Sequence, residues 1–98
     1  MPQDVKDEVG ASLWQVQCGE TPANSKPLHG PLRSVREIVV DEQGDTYRTV
    51  YTTEIGNYVY VLDAFKKKSK KGVATPRRVL NRIARRFDAA RKHDEEEA

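Results

Sequence analysis

The sequence has a single cysteine, Cys18, and two histidines among its 98 residues. One cysteine excludes an internal disulfide and a cysteine-built zinc site. Neither His29 nor His93 has a metal-ligating partner at the usual spacing, so we expect no metal and no cofactor. A glycine-rich phosphate loop and the GxSxG motif of serine hydrolases are also missing. Several common enzyme classes are thereby set aside.

Long apolar runs are missing as well. No stretch approaches the roughly 18 residues that a membrane-spanning helix needs. Residues 1–4 do not open a basic segment followed by an apolar one, which is the pattern of a secretion signal. We therefore expect a cytoplasmic protein with no membrane partner. The length predicts one domain, at residues 1–93, and the acidic residues 94–98 are expected to form a frayed tail.

Positive charge is concentrated in one third of the chain. Residues 1–63 carry five basic and ten acidic side chains, whereas residues 64–92 carry twelve basic and one acidic. The overall net charge of +2 conceals this asymmetry. Such a basic region predicts a polyanionic partner, although a solvated helix face can carry the same charges without binding anything.

Hydrophobic periodicity predicts a helix at each end of the chain. The first helix, residues 2–17, has one apolar stripe: Val5, Val9, Leu13 and Val16. Gly19 stands where a helix commonly ends. The second helix is predicted to begin with Thr75 as its N-cap and Pro76 in its first turn. Its apolar side consists of Val79, Leu80, Ile83, Ala84 and Phe87.

Three strands are predicted between the helices, from segments rich in β-branched and aromatic side chains: residues 35–40, 46–55 and 58–65. A turn at residues 41–45 and a two-residue hairpin at Gly56 and Asn57 would join them into an antiparallel meander. The predicted fold is therefore α+β, with an N-terminal helix, a three-stranded sheet and a basic C-terminal helix.

The proposed hairpin also predicts how the last two strands pair. Counting outward gives four pairs: Ile55 with Tyr58, Tyr51 with Leu62, Val50 with Asp63, and Arg48 with Phe65. Side chains alternate between the faces of a sheet, so Arg48 and Asp63 become diagonal neighbours on one face. The four tyrosines fall mostly on the other face, where core packing is a better expectation than stacking on bases: Tyr47, Tyr51, Tyr58 and Tyr60.

The basic side chains of the predicted sheet and of residues 64–92 fit the requirements of RNA cleavage without a metal. The reaction needs a positive charge to stabilise the pentavalent phosphate and a group that moves protons. Arg48 suits the first role, and replacing it with alanine is expected to slow cleavage on the order of 10²-fold with the fold intact. Asp63 is the nearest candidate for the second role, although beside Arg48 it should be ionised and could only orient the arginine. We predict three catalytic residues: Arg48, Asp63 and Lys66. We predict six RNA-binding residues: Lys67, Lys68, Lys70, Lys71, Arg77 and Arg78.

Three segments carry a resemblance to a known family. They are the Tyr47-Arg48 pair, the run YVLDAFKKKSKK at residues 60–71, and Thr75-Pro76 at the start of a helix. The opening PQDVKDEVG and the later QCGETP add to it. Together they resemble the phage-derived HigB-like branch of the RelE/ParE toxin superfamily over about residues 2–92.

The resemblance implies a toxin of a type II toxin–antitoxin pair. Such toxins cleave messenger RNA in the ribosomal A site without a metal, and a cognate helix-turn-helix antitoxin neutralises them. Arg48 matches the family's strand arginine, which stabilises transition-state charge. The lysines match a basic loop that binds RNA or the ribosome: Lys66, Lys67, Lys68, Lys70 and Lys71.

The sequence departs from the family pattern in two places. Asp63 stands where the family has a histidine, and an aspartate beside an arginine is a poor proton donor. The first strand of the family is also missing before the PQDV helix, so one edge of the sheet is expected to be uncovered. Two alternatives follow: a non-catalytic RNA- or ribosome-binding relic, and a ParE-like inhibitor of a DNA topoisomerase.

Overall fold

The computed structural model describes residues 1–68 and 75–97, apart from the side chain of Lys68. Its elements are α1 (Gln3–Gln17), β1 (Ser25–Pro27), a 3₁₀ turn (Gly30–Leu32), β2 (Val35–Glu42), β3 (Asp45–Thr52), β4 (Tyr60–Lys68) and α2 (Arg77–Glu97). The strands form one antiparallel sheet in the order β1-β2-β3-β4. The predicted α+β class is confirmed, and β1 is an additional short strand within the predicted loop. Neither α1 nor α2, the helices of the described residues, has the length and hydropathy needed to cross a membrane.

The helix α1 ends where the sequence predicts. Gly19 has a φ of +86°, a left-handed conformation that glycine adopts without steric penalty. Its N–H donates to the carbonyl of Val16, and the N–H of Glu20 donates to the carbonyl of Gln15. These two bonds form a Schellman motif, which satisfies carbonyls that the helix end would otherwise leave without donors.

The sheet separates two apolar clusters because successive side chains in a strand point to opposite faces. On one face, α1 packs against β2 and β3: Val5, Val9, Val16, Ile38, Val40, Tyr47 and Tyr51. On the other, α2 packs against β2, β3 and β4: Val35, Val50, Leu62, Val79 and Ile83, with Leu28 from the loop before β2. The two helices therefore lie on opposite sides of the sheet.

The four tyrosines do not share one environment. Tyr47 and Tyr51 are buried in the cluster under α1, as expected for core residues. Tyr58 is 67% exposed, so the core prediction is wrong for this residue. Its ring meets that of Tyr60 edge to face, with centroids 6.3 Å apart. Tyr60 packs against the cluster under α2.

A two-residue hairpin joins β2 to β3 rather than β3 to β4. Gln43 and Gly44 both have positive φ values, of 47° and 82°. Positive φ at both central residues is the requirement of a type I′ turn, whose twist matches that of the flanking strands. The predicted hairpin at Gly56 and Asn57 is wrong, because residues 53–59 form a longer connection.

The pairing of β3 with β4 agrees with the prediction near Arg48 and departs from it farther on. Arg48 pairs with Phe65 and Val50 pairs with Asp63, as predicted. Tyr51 then pairs with Val61, so a β-bulge leaves Leu62 without an opposite residue. The bulge also explains why Leu62 and Asp63, although adjacent, both contact the side of the sheet that α2 covers.

Both ends of α2 differ from the prediction. The carbonyl of Pro76 accepts the first helical bond, from the N–H of Leu80 at 3.0 Å. The hydroxyl of Thr75 donates to Glu37 instead of capping the helix, so the predicted N-cap is wrong. At the other end, residues 94–97 continue α2 instead of fraying. Asp94 hydrogen-bonds with Tyr60. The pKa of the Tyr60 hydroxyl is raised, mainly because the group is partly buried and also because the negative charge of Asp94 lies nearby.

Because α2 contacts the connection between β3 and β4, we predict that alanine substitutions at two glycines destabilise the protein to different extents. Gly56 has a φ of +54°, and an added Cβ would lie 2.8 Å from Cγ of Asp94. Gly44 has a φ of +82°, and a Cβ added at Gly44 would have no neighbouring atom within 4 Å. Alanine at either position should cost about 1–2 kcal/mol of unfolding free energy for the left-handed backbone. Gly56→Ala should cost about 1 kcal/mol more, because Asp94 must move away from Tyr60.

Urea unfolding of both variants measures this difference, with and without Asp94→Ala. In the Asp94→Ala background the two glycine substitutions should become equally destabilising. A difference that persists without the Asp94 carboxylate would contradict the contact.

Candidate active site

Arg48 lies in β3 and forms an ion pair with Glu37 of β2. Its Nη1 donates to both carboxylate oxygens of Glu37, at 2.9 and 3.2 Å. The strand register places Val39 opposite Arg48 and Val50 opposite Glu37, so the two charged residues are diagonal neighbours on the α2 side of the sheet. The side chains of Arg48 and Glu37 are only 12% and 2% exposed. The pair is therefore fixed by two rigid strands and largely withdrawn from water.

This pair leaves one polar atom unsatisfied. Nε of Arg48 is buried and has no hydrogen-bond partner among the described residues. A buried donor without a partner costs about 1–3 kcal/mol, so its presence in a native structure calls for an explanation, and a catalytic role is one such explanation. A guanidinium that is held in place before any ligand arrives needs little reorganisation to stabilise a developing negative charge.

Two further polar side chains approach the pair. The hydroxyl of Thr75, just before α2, donates to Oε2 of Glu37 at 3.4 Å. Lys67, two positions along β4 from Phe65, lies on the same face as Arg48. Burial lowers the pKa of Lys67, and the cations of Arg48 and Lys26 lower it further, whereas Glu37 raises it. Several positive charges thus meet around one carboxylate.

A cavity of about 420 Å³ opens beside the pair. Its polar lining residues are Lys26, His29, Glu37, Arg48, Thr75, Arg77 and Asn81. Its apolar lining residues are Pro27, Leu28, Pro31, Leu32, Leu80 and Ala84. The segment from β1 to the 3₁₀ turn forms one wall and the first two turns of α2 form the other, while the ion pair belongs to the sheet between them. A volume in this range is typical of sites for small ligands.

Asp63 is engaged by α2 and not by Arg48. Its Oδ2 accepts from Nε of Arg82 at 2.8 Å, and its Oδ1 lies 3.0 Å from Nη1 of Arg86. The same Oδ1 also accepts the N–H of Ala64. The side chain of Asp63 is 6% exposed, whereas those of Arg82 and Arg86 are 38% and 50% exposed. Asp63 and Arg48 share a face as predicted, but the carboxylate that contacts Arg48 belongs to Glu37.

The ion pairs of Asp63 predict a role in holding α2 on the sheet. Asp63→Asn removes the negative charge and one of the acceptors. We expect the variant to lose about 1.5 kcal/mol of unfolding free energy, a value discounted because both arginines are partly exposed. Asp45→Asn is the matched control: Asp45 is partly exposed and lies 3.9 Å from Lys66, which is more than half exposed, and the change should cost less than about 0.5 kcal/mol. Urea unfolding measures both, and equal losses would contradict the assignment.

Lys66 does not lie with the other two predicted catalytic residues. It neighbours Phe65, whose side chain packs on the α2 side, so alternation directs Lys66 to the opposite face of the sheet. There it is more than half exposed and pairs with Asp45. The three predicted catalytic residues are therefore in three different environments.

The predicted RNA-binding residues are only partly described. Lys67 lies on the Arg48 side of β4, and Arg77 lines the cavity at the start of α2. Arg78 is exposed beside it. The side chain of Lys68 and the whole of Lys70 and Lys71 lie outside the described residues.

Glu37 is the main site residue that the sequence predictions missed. It occupies an inward position of β2, between the buried Val35 and the half-buried Val39. An acidic side chain at such a position in a β-branched segment is unusual, because buried charges require a partner. Counting outward from a hairpin at Gln43 and Gly44 would have put it diagonally opposite Arg48.

The arrangement offers a fixed positive charge, a neighbouring carboxylate and a cavity able to hold a ligand. These are groups for binding an anion and for moving a proton near it. Within residues 1–68 and 75–97, no group of three or more histidine, cysteine, aspartate or glutamate side chains is arranged to hold a metal ion.

Comparison with known proteins identifies one family. A family model described as "Phage derived protein Gp49-like (DUF891)" matches residues 1–88. This stretch contains α1, the whole sheet, the Arg48–Glu37 pair and the cavity-lining part of α2. A search of curated proteins gave no significant match, and a search of solved structures gave none either.

Proposed function

The chain belongs to the Gp49-like family of phage-derived proteins, a RelE/toxin-like family, and on that premise we propose that it is the toxin of a type II toxin–antitoxin pair. Its proposed activity is cleavage of messenger RNA on the ribosome, without a metal ion, as in the HigB-like branch. The observation that carries this proposal is the Arg48 guanidinium, fixed by Glu37 beside a ligand-sized cavity.

The proposed chemistry is attack of a ribose 2′-hydroxyl on the neighbouring phosphate, which forms a 2′,3′-cyclic phosphate as the bond from phosphorus to the 5′-oxygen breaks. The 5′-oxygen takes a proton from water and leaves as a hydroxyl. Arg48 would stabilise the negative charge that develops on the phosphate oxygens. Glu37 is the one carboxylate lining the cavity among the described residues, and it is our candidate for accepting the proton of the attacking hydroxyl. Asp63 would act indirectly, since its bonds with Arg82 and Arg86 hold α2 as one wall of the cavity.

The partners follow from the charge distribution and the family. Lys67, Arg77 and Arg78 would neutralise phosphates of the RNA, which makes binding weaken as salt rises. The six lysines and arginines predicted to bind RNA include three that lie outside the described side chains, so their contribution remains part of the proposal. The proposal also includes a cognate helix-turn-helix antitoxin and a cytoplasmic location.

The experiment is cleavage of a defined messenger RNA with and without programmed ribosomes, with the 5′ and 3′ ends of the fragments mapped. The proposal expects cuts only when ribosomes are present and at positions within the A-site codon. Cuts of equal rate in free RNA would contradict ribosome dependence.

One observation favours a second candidate, an RNA- or ribosome-binding protein that does not cleave. The residue in the position of the family histidine, Asp63, is held by two arginines and is not placed to donate a proton at the Arg48 side. The same assay separates the two candidates. A folded protein that co-sediments with ribosomes and leaves the messenger RNA intact would support the second.

A further inference from the structure

The cover that α1 gives the sheet ends between β3 and β4. Three residues of β3 on the α1 side are buried: Tyr47, Thr49 and Tyr51. They pair with three residues of β4, in the same order: Lys66, Ala64 and Val61. Opposite residues of an antiparallel pair share a face, yet Ala64 is exposed and Val61 is 52% exposed. These three residues of β4 form an open strip on the α1 side of the sheet.

One flank of α1 borders the open strip. On the opposite flank, Glu8 and Ser12 hydrogen-bond with Asn24, which lies just before β1, so that flank faces β1. Leu13 lies about 100° around the helix from Ser12, is half-buried and packs at the margin of the cluster under α1. Lys6 is two helical turns earlier and therefore projects from the same flank as Leu13. This flank faces β4, because β1 and β4 are the two edges of the sheet.

The open strip combines apolar surface with positive charge at its borders. Val61 and Ala64 form the apolar part. Lys66 is more than half exposed, and its ion-pair partner Asp45 is 3.9 Å away, too far for a hydrogen bond. Lys6 is exposed on the flank of α1. An apolar surface between two cations complements an apolar partner that carries acidic side chains on its flanks.

The dimensions of the sheet suit a second helix beside α1. The helix α1 packs nearest to β2, and β4 lies two strands farther across the sheet. Two strand spacings amount to about 10 Å, and the axes of packed helices are about 8–10 Å apart. A helix lying over β4 would therefore contact the open strip and the flank of α1 together.

The edge of β4 is less suited to an added strand. The N–H of Ala64 donates to the carboxylate of Asp63 at 2.9 Å, and the carbonyl of Leu62 accepts from Arg86 at 2.9 Å. Side chains thus already satisfy backbone groups at the centre of β4. The strand then ends in lysines, and charged side chains on an edge strand discourage pairing with a further strand. The face of β4 is therefore a better surface for a partner than its edge.

We propose that the open strip binds an amphipathic helix of another protein. The apolar stripe of that helix lies on Val61 and Ala64, with residues recurring at spacings of three and four. Its acidic side chains meet Lys6 and Lys66. The open strip lies on the face of the sheet opposite Arg48 and the cavity, so the proposal does not depend on RNA cleavage.

The probe is a fluorescein-labelled peptide of about 18 residues, which as a helix is about 27 Å long. Leucines at spacings of three and four form one stripe, and glutamates occupy both flanks. One control peptide has lysines in place of the glutamates, and a second has the same composition in a shuffled order without the stripe. Fluorescence anisotropy with the full chain should show the first peptide binding at least about tenfold more tightly than either control.

Two charge variants with matched controls locate the bound peptide. Val61→Glu places an unpaired charge beneath the apolar stripe and should weaken binding about tenfold or more. Trp14→Glu introduces the same charge at a side chain that is 66% exposed on α1, and it should leave binding unchanged. Lys66→Glu should weaken binding about tenfold and reduce its salt dependence, whereas Lys92→Glu, at an exposed lysine of α2, should not.

Circular dichroism checks the fold of each variant, and Ala64→Glu tests the same strip if Val61→Glu does not fold. Equal binding of the shuffled peptide, or no binding of the acidic peptide, would overturn the proposal. Equal weakening by Val61→Glu and Trp14→Glu would place the peptide elsewhere and overturn it too. If the chain alone sediments as a dimer that Val61→Glu converts to a monomer, a second copy occupies the open strip and the acidic helix is the wrong partner.

Discussion

Replacing Glu37 with glutamine is expected to lower the free energy of unfolding by about 3–5 kcal/mol, the loss typical of breaking a buried ion pair. Glu37 is 2% exposed, and among the described residues its carboxylate alone accepts hydrogen bonds from the largely buried Arg48 side chain. Without the carboxylate, the guanidinium would remain in a poorly hydrated position with no compensating charge. Small domains are stable by about 5–15 kcal/mol in total, so this single change should bring the protein close to unfolding.

Equilibrium unfolding in urea measures the loss, and Glu42→Gln provides the matched control. Glu42 lies at the end of the same strand, is half-buried and forms no ion pair with any of the described residues. The control should lose less than about 0.5 kcal/mol. A loss below about 1 kcal/mol for Glu37→Gln would mean that Arg48 is hydrated in solution, and the ion pair would not be the centre of the site.

Cleavage is expected to fall on the order of 10²-fold when both charges are removed together, in Glu37→Gln/Arg48→Met, while the fold is retained. Arg48→Ala alone is a poor test, because it leaves the carboxylate of Glu37 buried without its partner. The sequence-based expectation that Arg48→Ala spares the fold therefore does not suit this structure. Replacing both members of a buried ion pair with neutral side chains of similar size is often close to neutral for stability.

The rate of messenger RNA cleavage on programmed ribosomes measures the effect, beside urea unfolding of the same preparation. Arg36→Met is the control, since Arg36 lies on β2 and bonds with Ser25 of β1 rather than with the cavity. The control should cleave at the parent rate. A double variant that is folded and still cleaves at the parent rate would remove Arg48 and Glu37 from the proposed mechanism.

Much of the fold could be predicted because local patterns determined it. The apolar stripe of α1, the glycine at its end and the β-branched segments each carry a direct physical signal of one structure. The hairpin between β3 and β4 could not be placed correctly, because Gly56 and Asn57 favour a tight turn while the chain forms a longer connection. Gly56 does adopt a positive φ, but it does so against Asp94 of α2, a contact far away in sequence.

The site was less predictable than the fold for a related reason. Arg48 could be identified because it is the one basic residue in its predicted strand, residues 46–55. The partner of Arg48 required the hairpin to be placed at Gln43 and Gly44, which the sequence prediction did not do. The partners of Asp63 could not be predicted, because they depend on where α2 lies in three dimensions. Asp63 is diagonal to Arg48 in the sheet, yet two arginines of α2 reach its carboxylate.

The same ion pairs change how the charge of the chain should be interpreted. Residues 64–92 carry eleven more basic than acidic side chains counting Asp88, but Arg82 and Arg86 are already matched to Asp63. The surface that α2 presents to a polyanion is therefore less positive than the sequence count indicates. Near its N-terminal end, Arg77 lines the cavity and the neighbouring Arg78 is exposed.

The bulge at Leu62 divides the pairing of β3 with β4 into two segments, and the register of each segment is independent of the other. On one side, Arg48 and Phe65 stay opposite each other, and on the other, Tyr51 stays opposite Val61. An insertion or deletion in the connection at residues 53–59 can be absorbed at the bulge without turning Arg48 to the other face. A change in the length of the loop that reaches Asp94 would therefore leave the geometry around the guanidinium the same.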